Sequence, residues 1–562
     1  VSEARRAGLL SAFTSWRLGA VSLLSLSSGL PLGLVVTAMP AWLQWANVDL
    51  KTNALLTLTQ LPYGLKFLWS PVMDWLRPPL LGFRRGWILL CQLALAAGAA
   101  GLGVVAAGVE TCDRALRGAA CDALAPPSPG VMAAVGVLAL LISFASASQD
   151  IVYDAYAVDV LEKHEHGPAV GARSALYRAG MWLSGSIAIT LGPVWGWHWT
   201  LAAQAAVYGA LLPVTVFAPE PTLAHAPPRS IAEAVWQPFV GFLGRPRALE
   251  ITAFVLLYRL ADSFAGALVS PFLLQRGFSS FDVGVVRGAV GVVGTLLGNA
   301  LGGLLAARVG VGRALWICGV LQIVSNAGYA VVAVVDPSTA TVALPNVLAA
   351  WLGVTGQAAA VSLPLQSAIF IETAAGGMGW GAFGVLLLRL TDKRFSATQY
   401  ALFSSLVGLA RTFVGPPAGI MADAMGWAPF FLVSMAFGVP GLVVLRRFVP
   451  WGEEPREITG EALEPVPAGP PWPRRTLWLS GLGAGLSMAS LSMALSVAMT
   501  ALKLWRAPPA VASSPLVAAF SSLQDLTTAA VFGLVGGVAV PAYLAARGQR
   551  AADGKEIAAP PG

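Results

Sequence analysis

Runs of about 20 apolar residues recur along almost the whole of this 562-residue chain, and each is long enough to cross a bilayer as a helix. No other feature narrows the fold so far. In hydrocarbon every backbone N–H and C=O must be satisfied within the structure, which leaves helices or closed barrels, and unbroken apolar runs of this length select helices. A soluble fold is excluded by composition: 11% of residues are charged, against roughly 25% in soluble domains. The runs fall at about 17–44, 53–73, 86–108, 130–158, 170–192 and 198–217, then 248–275, 283–305, 313–335, 366–390, 398–419 and 427–446. Two more lie at about 476–500 and 515–546. The expected class is an all-α polytopic membrane protein with about 14 transmembrane helices.

The net charge of +7 is a topology signal, and nucleic acid has no place in the reading. With the N-terminus inside, about 22 Lys and Arg fall in cytoplasmic segments and about 6 in outer ones. Arg84-Arg85, Lys393-Arg394, Arg446-Arg447 and Arg474-Arg475 carry most of that bias and place both termini in the cytoplasm. The first span, without a short apolar core and cleavage site before it, is expected to be its own insertion signal. Cys91 and Cys318 lie in spans, whereas Cys112 and Cys121 share the first outer loop, where a disulfide and two free thiols are both compatible with the sequence.

The first twelve spans repeat as two sets of six. Pro40-Ala-Trp-Leu-Gln44 follows the first span and Pro271-Phe-Leu-Leu-Gln275 the seventh. The next cytoplasmic loop holds Asp74, Gly82, Arg84 and Arg85 in the first set, and Gly302, Gly303, Arg308 and Arg313 in the second. Such halves, related by an axis along the membrane normal, are a transporter architecture. The domain reading is a six-helix bundle at 1–217, a cytoplasmic linker at 218–247 with an amphipathic surface helix at 231–243, and a second bundle at 248–446. A further linker at 447–475 leads to an extra hairpin and tail at 476–562. The stretch 341–365, apolar but broken by Pro345 and Pro364, reads as an outer insertion, because crossing there would put the later arginine pairs outside.

Ionisable side chains inside spans are costly, so each is a functional candidate by default. In "SFASASQDIVYDAYAVD", Asp150 and Asp154 share one helix face at i and i+4, while Asp159 is placed in cytoplasmic water. Arg178, beside Tyr177 in the next span, is their expected partner, either as a static ion pair or as one that opens for a proton or an anion. Arg259 and Asp262 can pair within one helix or serve a midplane site. Glu372 has no cation on its own helix, and Arg411 is locally unpaired. Lys66 follows Pro62 and either snorkels to the surface or lines the site. The candidates for proton coupling are Asp150, Asp154, Asp262 and Glu372. Those for substrate binding are Gln60, Tyr63, Lys66, Gln149, Tyr153, Tyr177, Arg178, Arg259 and Arg411; Asp74, Arg84 and Arg85 form a gating loop. The surplus of cations from both halves favours an anionic substrate. All four histidines lie in loops or at span ends, and no HExxH, GxSxG or phosphate-binding glycine loop is present. No enzyme, metal site or cofactor is expected, and transport would run on a gradient.

The strings "SSGLPLGLVVTAMPAWL", "DLKTNALLTLTQLPYGLKFLWSPVMDWLRPP", "SQDIVYDAYAVD", "LYRAGMWLSG", "LLYRLADSFAGALVSPFLL", "IETAAGGMGWGAF" and "RFSATQYALFSSL" carry a resemblance across roughly 17–446. They resemble the bacterial muropeptide permeases (the AmpG family) of the major facilitator superfamily, related to the acetyl-coenzyme A transporters of eukaryotic internal membranes. The resemblance implies a major facilitator fold in a bacterial inner membrane. It also implies proton-coupled import of N-acetylglucosaminyl-1,6-anhydro-N-acetylmuramyl peptides for peptidoglycan recycling and, where present, β-lactamase induction. The partners so implied are the sugar-peptide, protons and membrane lipids, with the protein a monomer. Asp150 and Asp154 match the family's acidic fourth span; Lys66, Arg178, Asp262 and Glu372 match its buried polar positions. The outer insertion, the 450–475 linker and the second-half loop without an aspartate depart from the pattern, which bears on substrate range. Two other readings stand beside it: a carrier of another bulky anion such as acetyl-coenzyme A, and a membrane sensor or scaffold that moves nothing.

Overall fold

The computed structural model describes residues 15–48, 59, 61–112, 124–221, 228, 230–243, 247–266, 268–278, 286–336, 341–344, 359–451, 473–505, 529–530, 533, 536–537 and 539–545. The first half contains α1 (Trp16–Trp45), α2 (Leu61–Leu65), α3 (Ser70–Trp75), α4 (Phe83–Ala107), α5 (Pro129–Val160), α6 (His166–Trp182), α7 (Ala188–Trp195) and α8 (Trp197–Phe217). A linker helix, α9 (Ile231–Leu243), leads to α10 (Ala248–Leu257), α11 (Leu260–Gly266) and α12 (Val269–Gln275). Then come α13 (Gly291–Val309), α14 (Val311–Val334), α15 (Leu363–Leu390), α16 (Ser396–Met425), α17 (Trp427–Arg447) and α18 (Arg474–Trp505).

Nine of the described helices are long and apolar enough to cross a membrane. Several of the other expected spans are interrupted, and the breaks have local causes. A 3-10 turn at Lys66–Leu68 separates α2 from α3, next to Pro62 and Pro71, whose rings supply no N–H to the ladder. A π turn at Leu183–Ile187 separates α6 from α7, and the seventh span breaks at Tyr258–Arg259 between α10 and α11. Irregular backbone at membrane depth survives only where protein or water satisfies it, so these breaks mark the bundle interior.

Helix α1 packs against α5, α6 and α8, and α4 against α5 and α8. In the second half α15 packs against α13 and α14, and α10 against α17. The halves meet where α6 crosses α13 and α15, and where α16 lies against α2, α3 and α5. This contact lies toward one end of the bundle, the end bearing Arg84, Arg85, Lys393 and Arg394, hereafter the arginine-rich end. At the α6–α13 crossing Gly167 lies on Gly303: a Cβ added to either would fall within 2.4 Å of the other's carbonyl oxygen. Only glycine fits both positions.

A helix occupies the expected 231–243 as α9 and packs against α3 of the first half and α16 of the second. Arg394 Nη2 donates to Glu233 Oε1 at 2.9 Å, and Gln399 Nε2 donates to the Pro238 carbonyl at 3.2 Å. Val240 of α9 also packs against Ala542 and Ala545. The stretch read as an outer insertion departs from the all-α expectation: Thr341–Leu344 (β1) pairs antiparallel with Ala359–Ser362 (β2). Cys112 is disulfide-bonded, whereas Cys121 lies outside the described residues.

His166 opens α6 at the arginine-rich end, ahead of its apolar stretch, and is 5% exposed. Burial first, then the cations Arg389, Lys393 and Lys163, push its imidazole from 6.5 down to about 3. The unfolded chain therefore binds a proton, below pH 6.5, that the native fold refuses. Stability is complete above that pH and lost as pH falls toward 3, with about 2 kcal/mol gone by pH 5. The thermal midpoint of the native chain is expected to drop more between pH 7.5 and 5 than that of H166Q. Equal drops would contradict the assignment.

Candidate functional site

In the first half the site is built on a serine-lined face of α1. Tyr153 donates its hydroxyl to the Val21 carbonyl at 2.9 Å, and Gln149 Nε2 donates to Ser27 Oγ at 2.9 Å. Gln92 Nε2 reaches the same Ser27 oxygen at 3.1 Å. Gln149 and Tyr153, expected to contact substrate, are thus buried and hold α5 against α1. That clamp leaves Asp150 and Asp154 on the adjoining face. Ser28 donates to Asp150, which also feels the charges of Lys66, Asp154 and Arg173. Tyr63 and Tyr177 lie close enough to Asp150 to feel its charge.

Asp154 pairs with Arg173, and the expected pairing with Arg178 does not form. Helices α5 and α6 run antiparallel, so a residue farther along α5 meets one nearer the start of α6, a full turn before Arg178. Lys66 does not snorkel: it sits in the 3-10 turn and is 8% exposed. Neither Lys66 nor Arg178 makes an ion pair or hydrogen bond among the described residues. Arg178 feels the charges of its neighbour Tyr177 and of another cation, Arg259 of the second half.

Arg259 and Asp262 do pair with each other, at 2.6 Å, across the break between α10 and α11. Gln322 Nε2 donates to the same Asp262 oxygen at 2.5 Å. Arg259 Nη1 donates to the Gly376 carbonyl at 3.2 Å, and its guanidinium stacks 4.5 Å from the Trp380 ring centre. Glu372 accepts a hydrogen bond from the Tyr329 hydroxyl at 2.9 Å and feels Asp262, Arg287 and Arg259. The glycine-rich face of α15 makes room for this group: a Cβ on Gly379 would meet Gln322 Oε1 at 2.6 Å. The backbone of Arg411 lies in α16, but its side chain and all of Gln60 lie outside the described residues.

At the arginine-rich end the expected gating loop divides. Gly82, at φ 95°, turns the chain into α4 and sets Arg84 inward. Arg84 Nη2 lies 2.9 Å from Asp74 Oδ1, and its Nε lies 2.8 Å from Asp159 Oδ2. Its Nη2 also donates to Ser396 Oγ at 2.7 Å. Asp74 accepts the N–H groups of Ala397 at 3.2 Å and Thr398 at 2.8 Å, so it caps the start of α16 from the opposite half. Asp159 is therefore not in water: its side chain is 3% exposed, because α4 and α16 close over the end of α5. Arg85 bonds Glu220 at 3.0 Å and the Val216 and Ala218 carbonyls, at the end of the first half and the start of the linker.

Sequence reasoning missed Arg173, Tyr329, Tyr400 and Gln322. A readable signal existed for Arg173, which shares a face with Tyr177 at i and i+4. Gln322 is a lone amide in "WICGVLQIVS", and only the fold shows what it meets.

A family model described as acetyl-coenzyme A transporter 1 matches residues 20–193. The chain is 38% identical over 425 residues to the anhydromuropeptide permease of Escherichia coli K12, covering 75% of this chain and 78% of that one. It is 27% identical over 443 residues to a putative transporter, AmpG 4, of Rickettsia conorii, covering 77% and 96%. Among solved structures, the human organic anion transporter MFSD10 superposes with a TM-score of 0.53 at 17% identity, over 76% of this chain and 99% of that one. The proton:xylose symporter XylE does so at 0.52 and 13%, over 77% and 96%. At those identities the structures speak for the fold, which is that of the major facilitator transporters.

Proposed function

The chain belongs to the anhydromuropeptide permease family, and from that premise we propose that it imports anhydro-muropeptides from the periplasm across a bacterial inner membrane, driven by protons. The observation that carries the reading is that Lys66 and Arg178 make no ion pair or hydrogen bond among the described residues, and that Arg178 feels the like charge of Arg259 from the other half. Like charges held together at membrane depth are costly, and an anionic group placed between them removes the cost. A sugar-peptide brings peptide carboxylates for the cations and sugar hydroxyls for Tyr63 and Tyr177. Arg259 would keep Asp262 as its resting partner until substrate arrives.

Transport, not catalysis, is the role this supports. Contact between the halves at the arginine-rich end fits a state closed to the cytoplasm, with both termini on that side, as uptake from the periplasm requires. Asp150, Asp154, Asp262 and Glu372 would carry the protons, since a carboxylate whose surroundings change between two conformations changes its proton affinity. The protein would work as a monomer, two bundles at 1–217 and 248–446 rocking about the site, with the appended hairpin outside the path.

A second reading rests on the match to the acetyl-coenzyme A transporter model over residues 20–193. Counterflow in proteoliposomes separates the two. Labelled anhydro-muropeptide is expected to exchange, and unlabelled muropeptide to compete at least tenfold better than acetyl-coenzyme A. The reverse order would move the substrate to the coenzyme A ester, and no exchange of either would favour a sensor.

A further inference from the structure

Buried polar atoms without partners gather at one junction of the second half. Helix α14 packs against α11 and α15, and two contacts fix the register of the antiparallel α14–α15 pair. A Cβ on Gly379 would meet Gln322 Oε1, and the Tyr329 hydroxyl bonds Glu372. Asn326 lies between Gln322 and Tyr329 on the same face of α14, so this register sets it opposite Ala375 and Gly376. Gly376 in turn lies against α11: a Cβ on it would meet Asp262 Oδ2 at 3.1 Å. Asn326 is 0% exposed, and among the described residues neither its amide oxygen nor its amide nitrogen has a hydrogen-bond partner. Gln322 Oε1, also buried, has none either. Leaving such groups unsatisfied is costly, and native folds rarely do so without a water, ion or ligand to complete them. Apart from the Asn326 nitrogen, the donors here are committed: Gln322 Nε2 and Arg259 to Asp262, and Tyr329 to Glu372. What the junction has in excess is oxygen.

We propose that this junction binds a sodium ion, held by Gln322 Oε1, Asn326 Oδ1 and the Glu372 carboxylate. Amide oxygens and a carboxylate are the ligands of hard cations. The charges select a monovalent one. Asp262 is answered by Arg259 at 2.6 Å, whereas Glu372 makes no ion pair among the described residues and feels Arg287 and Arg259 only as more distant charges. One carboxylate charge is thus left for the ion, too little to draw a divalent cation out of water. Crowding favours a small alkali ion, since α15 comes so close that no Cβ fits at Gly379. Helix α14 is interrupted at Asn326, as transporter helices are where they hold ions. Glu372 is the least buried of the three ligands, which gives the ion a way in. The proposal stands apart from the import reading: it needs neither substrate nor proton gradient, and either can fail while the other stands.

The test is binding of labelled sodium to the full chain in nanodiscs at pH 8, with thermal midpoints taken in sodium or choline chloride at equal ionic strength. The native chain should bind the label saturably. Its midpoint should rise by about 3 °C or more in sodium, because an ion held only by the folded state stabilises that state. Potassium should displace the label about tenfold less well than sodium, and calcium should not displace it. E372Q, which keeps an acceptor for Tyr329, and N326A should each weaken sodium binding by about tenfold or more. N326D, which adds a charge among the same ligands, should let calcium compete. If N326A fails to fold, the near-isosteric E372Q decides the location. No saturable binding, or equal native midpoints in sodium and choline, overturns the site. A midpoint raised equally by potassium is a salt effect and overturns it too. Native sodium affinity in E372Q, or N326D that calcium leaves unaffected, overturns the ligand set.

Discussion

Asp150→Asn is expected to lower gradient-driven uptake at least tenfold while leaving substrate counterflow within about twofold, tenfold being about 1.4 kcal/mol. The asymmetry follows from where the carboxylate sits. Asparagine keeps an oxygen that can accept from Ser28, so the α1–α5 contact made by Gln149 and Tyr153 is preserved and the fold survives. What is lost is a group that can take and release a proton between Lys66 on one side and Asp154 on the other. Exchange needs no net proton movement and continues. The site also becomes more positive, because Lys66 loses the nearest charge that offsets it, so the KM for an anionic substrate should fall. Full gradient-driven uptake by the variant would remove Asp150 from the mechanism.

Arg84→Ala should have the largest effect on stability. Its guanidinium lies between Asp74 and Asp159, with side chains 1% and 3% exposed, and nothing else among the described ion pairs neutralises either carboxylate. Removing one member of a buried ion pair costs about 3–5 kcal/mol, chiefly because the remaining charge is stranded. Here two are stranded, and one of them caps α16. The expected result is a thermal midpoint lower by about 5 °C or more, following that cost. Adding Asp159→Asn to the variant should recover part of the loss. A midpoint within a degree of the native one, or no recovery in the double variant, would contradict the assignment of Arg84 as the shared counter-charge.

Much of this molecule was legible before any coordinates, and the reasons are physical. Bilayer thickness sets the length of an apolar run, so most spans could be read off directly. The cost of charge in hydrocarbon singled out Lys66, Asp150, Arg178, Asp262 and Glu372, and the paired Arg259–Asp262 spacing held in the fold. The failures share one cause. Asp159 ends an apolar run and looks hydrated, yet α4 and α16, one helix from each half, bury it, and a linear pattern does not report which ends are covered. Arg173 was not singled out, while the antiparallel register of α5 and α6 makes it, not Arg178, the partner of Asp154. Gln149 and Tyr153, expected in the substrate site, also bond to α1, a contact that a linear pattern does not report.

The most direct test of the account is uptake of labelled anhydro-muropeptide into proteoliposomes with and without an inward proton gradient. Accumulation above equilibrium that collapses when an ionophore dissipates the gradient is the predicted result. Equilibration to the same level with and without the gradient would leave a permease that is not proton-driven, and no entry at all by folded protein would contradict the account at its centre.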